Sequence, residues 1–425
     1  MAMTDLTIVR RSLAGRWFAT VTTVFTVGIA VGLLLVLVAM RSAGEQAFAR
    51  GTGNMHLIVS ADSSPLNSVL NTVFYAGAPS RSIPFARYES LRSDPRIEWA
   101  LPVVQGDSYK GFPTVATDPS YFEKFKPAQE TAWSFAAGGP FSTQQQIVLG
   151  ADVAAKTRLR IGDTITVKHG TDDHAGHDHG DFPFTVVGIL HRTSTSHDRA
   201  IFMNLDSAWL IHAHDLREDA VKKGRPFVEP TAANLTADEK PVTGVYIRLR
   251  SRPGSDTPPT LATVFDELRR DTAITVAQPA VQIRGLFQVV SGIDRIIFAL
   301  ALAVLVSTAV TIMLVLYQAM ELRRRQVAVL RVLGASRPRV FMLALTEAAV
   351  IGLAASILGI ALAYIGAHFV AFALHRQLGL TITPSLDPRW IFSIAAGATA
   401  LACLAGIVPA AAAYRTDVLK NLRPL

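Results

Sequence analysis

Four long stretches of this 425-residue chain are almost free of charged side chains: Trp17 to Met40, Ile296 to Tyr317, Val340 to Val370 and Trp390 to Ala413. A run of about 18 or more apolar residues spans a bilayer as a helix, so each predicts a transmembrane segment. Residues 41–295 read differently. His56 to Ser60, Gln146 to Gly150, Asp163 to Val167 and Phe184 to Leu190 are short, β-branched runs bounded by turn residues, which predict strands. Asp152 to Arg160 and Leu261 to Asp271 have helical spacing, and Thr243 to Arg250 and Ile274 to Val276 read as further strands. Residues 215–241, with Lys222-Lys223-Gly224-Arg225-Pro226, are polar enough to predict a mobile loop, and Arg252 to Pro259 a Pro/Gly turn. Leu286, Phe287, Val290, Ile293 and Ile297 recur at helical spacing, so the second membrane helix is expected to continue outward as an amphipathic stalk.

The expected fold class is therefore membrane α-helical, in a 1+3 layout, with a large extracytoplasmic α+β domain between helices 1 and 2. The boundaries read as an amino terminus at 1–16, helix 1 at 17–40, the outer domain at 41–285, and stalk plus helix 2 at 286–317. An inner loop at 318–339, helix 3 at 340–370, an outer loop at 371–389, helix 4 at 390–413 and a tail at 414–425 complete the chain. The first run has 24 residues, longer than the apolar core of about 7–15 in a secretory signal, and reads as a retained anchor.

Composition agrees with a membrane protein: 50% hydrophobic, 17% charged, mean hydropathy +0.32. That much apolar side chain excludes intrinsic disorder. One cysteine, Cys403, leaves no intramolecular disulfide. The net charge of +8 becomes informative once divided: residues 41–295 hold 27 Lys+Arg against 28 Asp+Glu. The surplus lies in 1–16 (Arg10, Arg11 and Arg16 against Asp5), in 318–339 (six Arg against Glu321) and in 414–425 (Arg415, Lys420 and Arg423 against Asp417). Four crossings put all three pieces on one side, so the charge is a topology signal that places both termini in the cytoplasm, not a nucleic-acid site.

The most chemically loaded stretch is His169 to Asp181, with four His (His169, His174, His177, His179) and four Asp, Asp178 among them, in thirteen residues. Imidazole and carboxylate ligands suit zinc, nickel or copper, and the H-x-x-H-x-H spacing lets a flexible loop wrap one ion. His191, His197, His212 and His214 follow in the same domain and could add ligands. A solvated, low-complexity hairpin tip has the same composition, so both readings stand. Glu347, inside the third apolar run, is a candidate proton relay, a helix–helix hydrogen-bonding group, or a carboxylate facing cytoplasmic arginines. Nucleophile-elbow and H-E-x-x-H patterns are absent, as is a G-x-x-x-x-G-K-[ST] phosphate loop, so neither a hydrolase site nor a P-loop is expected here. In 318–339 apolar Val327, Leu330 and Leu333 alternate with Arg323, Arg324 and Arg331, followed by Gly334 as a helix stop. Such a helix can dock in a groove on another protein or lie on anionic lipid.

Several strings, in order, resemble the MacB/FtsX-like permeases of ABC transporters, a group that includes the lipoprotein-releasing LolC/LolE type. Ile147 to Gly150, Ala154, Ile161 to Ile165 and Val186 to Ile189 are similar to the core of that family's periplasmic domain. Glu321 to Ser336 resembles its cytoplasmic signature, and Gly406 to Ala410 with Leu419 to Pro424 its carboxyl-terminal one. Where the family often carries Asp/Asn-Pro, this chain has Thr416-Asp417-Val418.

The resemblance implies a bacterial inner-membrane protein whose outer domain has a porter-like part, here 50–85 with 240–285, and a distal part, 86–239. It also implies a second permease copy, expected as a homodimer, and two copies of a separate ABC ATPase that binds the ATP. The chain itself is then a non-catalytic subunit. Glu321, Arg323, Arg324, Val327, Leu330, Arg331 and Gly334 become the expected ATPase-coupling residues. An acidic residue is frequent near Glu347 in that family. The expected function is mechanotransmission: ATP turnover inside reshapes the outer domain, for export or envelope delivery of a metal-related client or of a metal-binding partner protein. The alternatives are an FtsX-like regulator of a cell-wall hydrolase, a lipoprotein-releasing permease, and a metal sensor.

Overall fold

The computed structural model describes residues 5–128, 131–170, 182–224, 226–255, 257–322, 332, 336–378 and 384–414. Helices α1 (Asp5–Ala14) and α2 (Trp17–Gly51) open the chain. Strand β1 (Leu57–Ser60), helices α3 (Pro65–Thr72) and α4 (Phe85–Arg92), and strands β2 (Ile97–Val104), β3 (Asp107–Tyr109) and β4 (Phe112–Thr117) follow. Next come α5 (Tyr121–Lys124), β5 (Phe135–Gly138), β6 (Gln146–Leu149), α6 (Ala151–Thr157), β7 (Thr164–Ile165), β8 (Lys168–His169) and β9 (Phe184–Leu190). Strand β10 (Ile201–Asn204), helix α7 (Leu205–Lys222), β11 (Gly244–Leu249), α8 (Leu261–Arg269) and β12 (Thr275–Ala277) complete this region. Helices α9 (Pro279–Leu322), α10 (Arg337–Leu378) and α11 (Pro388–Tyr414) end the described chain.

Two units divide these elements: residues 1–43, 289–373 and 383–425 form one, and residues 44–288 with 374–382 the other. In the α+β unit the strands run in the order β12-β1-β11-β2-β4-β10-β6-β9-β5. Most pairs are antiparallel, but β10 runs parallel to β4 and β6 parallel to β9. In strand β6 Ile147, Val148 and Leu149 are all buried, so both of its faces are covered as well as both of its edges paired. Strand β9 alternates buried Phe184, Val186, Gly188 and Leu190 with more open positions. Gly150 follows β6 and begins α6; a Cβ there would lie 2.4 Å from the Asp198 carbonyl oxygen, so only glycine fits.

Helix α3 starts where Ser64 accepts from the Asn67 amide and Pro65 occupies the first turn, a local arrangement that presets the helix. Helix α7 starts on Asn204, whose side chain accepts from the Asp206 amide. It corrects the reading of 215–241 as a loop, because residues 215–222 are its last two turns. A polar run looks like a loop when only one helical face is apolar; here Ala208, Trp209, Ile211 and Ala213 supply the buried face upstream.

The segment beyond α7 is pinned as well. Arg217 donates to both Glu239 oxygens at 2.7 and 2.9 Å, and also to the Val228 and Asn234 carbonyl oxygens. This paired guanidinium is the main cause that holds the Glu239 carboxyl down at about 2, from an ordinary 4.5. A depressed folded value stabilises above the unfolded value and is lost as pH falls through the folded one. Protection of the Thr236 amide, which donates to Glu239, should therefore disappear between about pH 4.5 and pH 2. Hydrogen exchange corrected for intrinsic rates would show it, and Arg217→Ala should remove the step.

In the helical unit, α2, α9, α10 and α11 are each long and apolar enough to cross a membrane. Their shared interior holds Val27, Val31, Leu35, Leu305, Ile312, Leu316, Ala348, Ile351, Ala355 and Ala402. Alanine and glycine recur at the closest contacts. A Cβ on Gly359 would lie 2.6 Å from Val31, and one on Gly406 would lie 2.7 Å from Ala348. Helices without a water-driven hydrophobic effect associate through such close approach.

Candidate functional site

Strands β3 and β8 pair antiparallel, with Asp107 opposite His169 and Ser108 opposite Lys168. Directly opposed residues share a sheet face, so this register alone brings the carboxylate and the imidazole together. The pairing is reinforced by the Gly170 amide, which donates to the Gly106 carbonyl oxygen at 2.8 Å, and by Ser108 Oγ, which donates to the Gly170 carbonyl oxygen. Helix α7 contributes His212 from the turn after Ala208. His169 Nδ1 lies 3.0 Å from Asp107 Oδ1, and His212 Nε2 lies 3.7 Å from Asp107 Oδ2. The two imidazole rings meet edge to face, 5.7 Å apart.

The Asp107 carboxylate is only 3% exposed, whereas the His169 side chain is 59% exposed. A buried carboxylate is tolerated when paired, and here imidazoles face both of its oxygens. The hydrogen bond to Asp107 is the main cause that raises the His169 pKa; burial opposes it, and Asp215 adds to it through its charge. One donor atom from each of Asp107, His169 and His212 lies within 4.8 Å of the others.

Among the other expected site residues, His174, His177, Asp178 and His179 lie outside the described residues. The further histidines diverge. His191 is exposed after β9. His197 is buried among Tyr75, Phe125 and Trp133, with Nδ1 2.6 Å from the Tyr75 hydroxyl, and burial pushes its pKa down to about 3. His214 packs between Phe182 and Phe227. Of the four additional histidines, His212 alone joins His169. Asp107 was missed from sequence, since 62 residues separate it from His169 and no spacing motif links them.

In the helical unit, Glu347 on α10 is 8% exposed. It accepts from Ser12 Oγ at 2.8 Å and forms an ion pair with Arg16, which also donates to Ser12 at 3.3 Å. Ser12 is on α1, and Arg16 is in the turn before α2, so three elements meet on one carboxylate. Glu321 sits in the last turn of α9. Arg323, Arg324, Val327, Leu330, Arg331 and Gly334 lie outside the described residues.

Comparison with known proteins bears on both units. Residues 20–264 match the family model for the MacB-like periplasmic core domain, and residues 297–418 match that for the FtsX-like permease C-terminal region. No curated protein matched. Among solved structures, the periplasmic region of MacB from Actinobacillus actinomycetemcomitans aligns at a TM-score of 0.33 and 9% identity, covering 56% of this chain and 94% of that one. The extracellular domain of the noncanonic ABC-type transporter YknZ from Gram-positive bacteria aligns at 0.28 and 10% identity, covering 52% and 98%.

Proposed function

Because the chain belongs to the MacB/FtsX-like ABC transporter permeases, we propose that it is the non-catalytic membrane subunit that relays ATP turnover on a separate ATPase to its own outer domain. The observation that carries this reading is the order of the two family matches. The periplasmic-core match runs from within the first candidate membrane helix to residue 264, and the permease match begins within the second and takes in the third and fourth. Two copies of the chain and two ATPases form the working unit. The termini and the 318–339 loop are cytoplasmic, as the arginine excess there favours. In this reading Glu321 and the arginines after it receive the motion of the closing ATPase pair. Helices α2 and α9, which contribute residues to both units, carry it outward.

Nucleotide on the partner and client on the outer domain then bias one conformational equilibrium, so each alters the affinity for the other. Substrate need not pass between the membrane helices. The imidazole and carboxylate groups gathered near β8 favour a metal-related client, moved in the direction of export or envelope delivery.

The test is reconstitution with the cognate ABC ATPase. Arg331→Glu and Gly334→Val are expected to lower the ATPase stimulation given by this chain about 10-fold or more, equal to ~1.4 kcal/mol of coupling, while the chain still inserts. Unchanged stimulation in both variants would remove the coupling assignment. Client pull-downs from the same preparation separate transport from regulation, since capture of a cell-wall hydrolase alone points to the latter.

A further inference from the structure

We propose that Asp107, His169 and His212 form a three-ligand site for a first-row divalent metal ion of the zinc type. The proposal extends the metal-client reading by adding residues, but it does not depend on transport: a subunit with any client can hold an ion here.

The donor set decides the class of ion. Two imidazoles with one carboxylate suit zinc, nickel or cobalt, whereas calcium and magnesium take oxygen ligands. Distances agree with that class. Zinc–nitrogen and zinc–oxygen bonds of about 2.0–2.2 Å in a tetrahedron place neighbouring donors about 3.3 Å apart. The carboxylate oxygens already lie 3.0 Å from one imidazole nitrogen and 3.7 Å from the other. Those two distances are to different carboxylate oxygens, and the three donor atoms together lie within 4.8 Å, so His169 and Asp107 are already at ligand spacing and His212 closes in when one ion binds all three. Three protein ligands leave a fourth position for water or for a client's own ligand.

Support and access are both present. Asp107 is fixed by the β3–β8 pairing, and its own carbonyl oxygen accepts from Thr114 Oγ1 at 3.1 Å. Asp215, one turn beyond His212 on α7, acts on His169 through its charge. The exposed His169 gives the ion a way in. The bland alternative is a simple ion pair that stitches β8 to β3 with His212 stacked beside it; it predicts no metal affinity.

The experiment uses the full chain in detergent, in a background where His174, His177 and His179 are all replaced by alanine, titrated with Zn2+ by calorimetry and with Co2+ by visible absorption. That background is expected to keep one site with ligand-field bands of nitrogen and oxygen coordination. His212→Ala and, as a second variant, His212→Gln should weaken it more than about 100-fold, beyond the loss typical of an outer-shell partner. Circular dichroism melts without metal confirm that the variants fold. Retained binding in both His212 variants, or loss of all binding in the triple background, would overturn the site. In the latter case a metal-related client bound by the 169–181 segment survives, so the two readings fail separately.

Discussion

Replacing Glu347 by alanine is expected to destabilise the helical unit by about 3–5 kcal/mol, the range for removing one partner from a buried ion pair. The carboxylate is buried and takes hydrogen bonds from both Ser12 and Arg16, so its loss takes the negative partner away from the Arg16 charge and an acceptor away from Ser12. Glu347→Gln keeps an acceptor oxygen and should cost less. The double variant Arg16→Met with Glu347→Leu should recover much of the loss, because removing both charges also removes the cost of burying them. Denaturant unfolding of the purified chain measures each corner of this cycle. A coupling below about 0.5 kcal/mol would mean that the pair contributes nothing. The same variants address chemistry: a proton relay fails in Glu347→Gln even when stability is kept, whereas a structural pair tolerates it.

Gly359→Leu should be equally severe, by about 3 kcal/mol or more, and visible as loss of folded protein in membranes. The ideal Cβ position is already 2.6 Å from Val31 Cγ1 and 2.8 Å from the Gly28 carbonyl oxygen. Side chains yield and backbone does not, so Val31→Ala should rescue only part of the defect. Gly397→Leu is the control, because nothing lies within 4 Å of a Cβ at that position. Equal expression of the two leucine variants would show that α2 and α10 do not approach as described.

How much of this was legible beforehand depends on how local each signal was. The membrane helices were plain, because about twenty apolar residues in a row have few other uses. Strands β6, β9 and β11 were plain too, from β-branched runs between turn residues. Strands β2 and β4 are hard to read from sequence, since each carries a proline, Pro102 or Pro113, which normally argues against a paired strand. At Pro102 the sheet copes by using its carbonyl oxygen, which accepts from Thr117 Oγ1. The carboxylate of Asp107 was invisible for another reason: it meets His169 through strand register and His212 through helix packing, and neither leaves a trace in residue spacing. Glu347 was singled out by hydrophobicity alone, but its partners Ser12 and Arg16 lie more than 300 residues away.

The sheet itself constrains how the outer domain can respond to force. Strand β11 pairs along its whole length with β2, from Gly244 opposite Val103 to Leu249 opposite Ile97, and Thr243 ties the same seam through the Gln105 amide. These strands come from the two parts into which the family's outer domain is expected to divide. A shear along these strands loads the rungs of the ladder together, whereas a pull at one end would open them in turn. The two parts are thus joined by a continuous ladder, so sliding one past the other along the strands would have to break its rungs together.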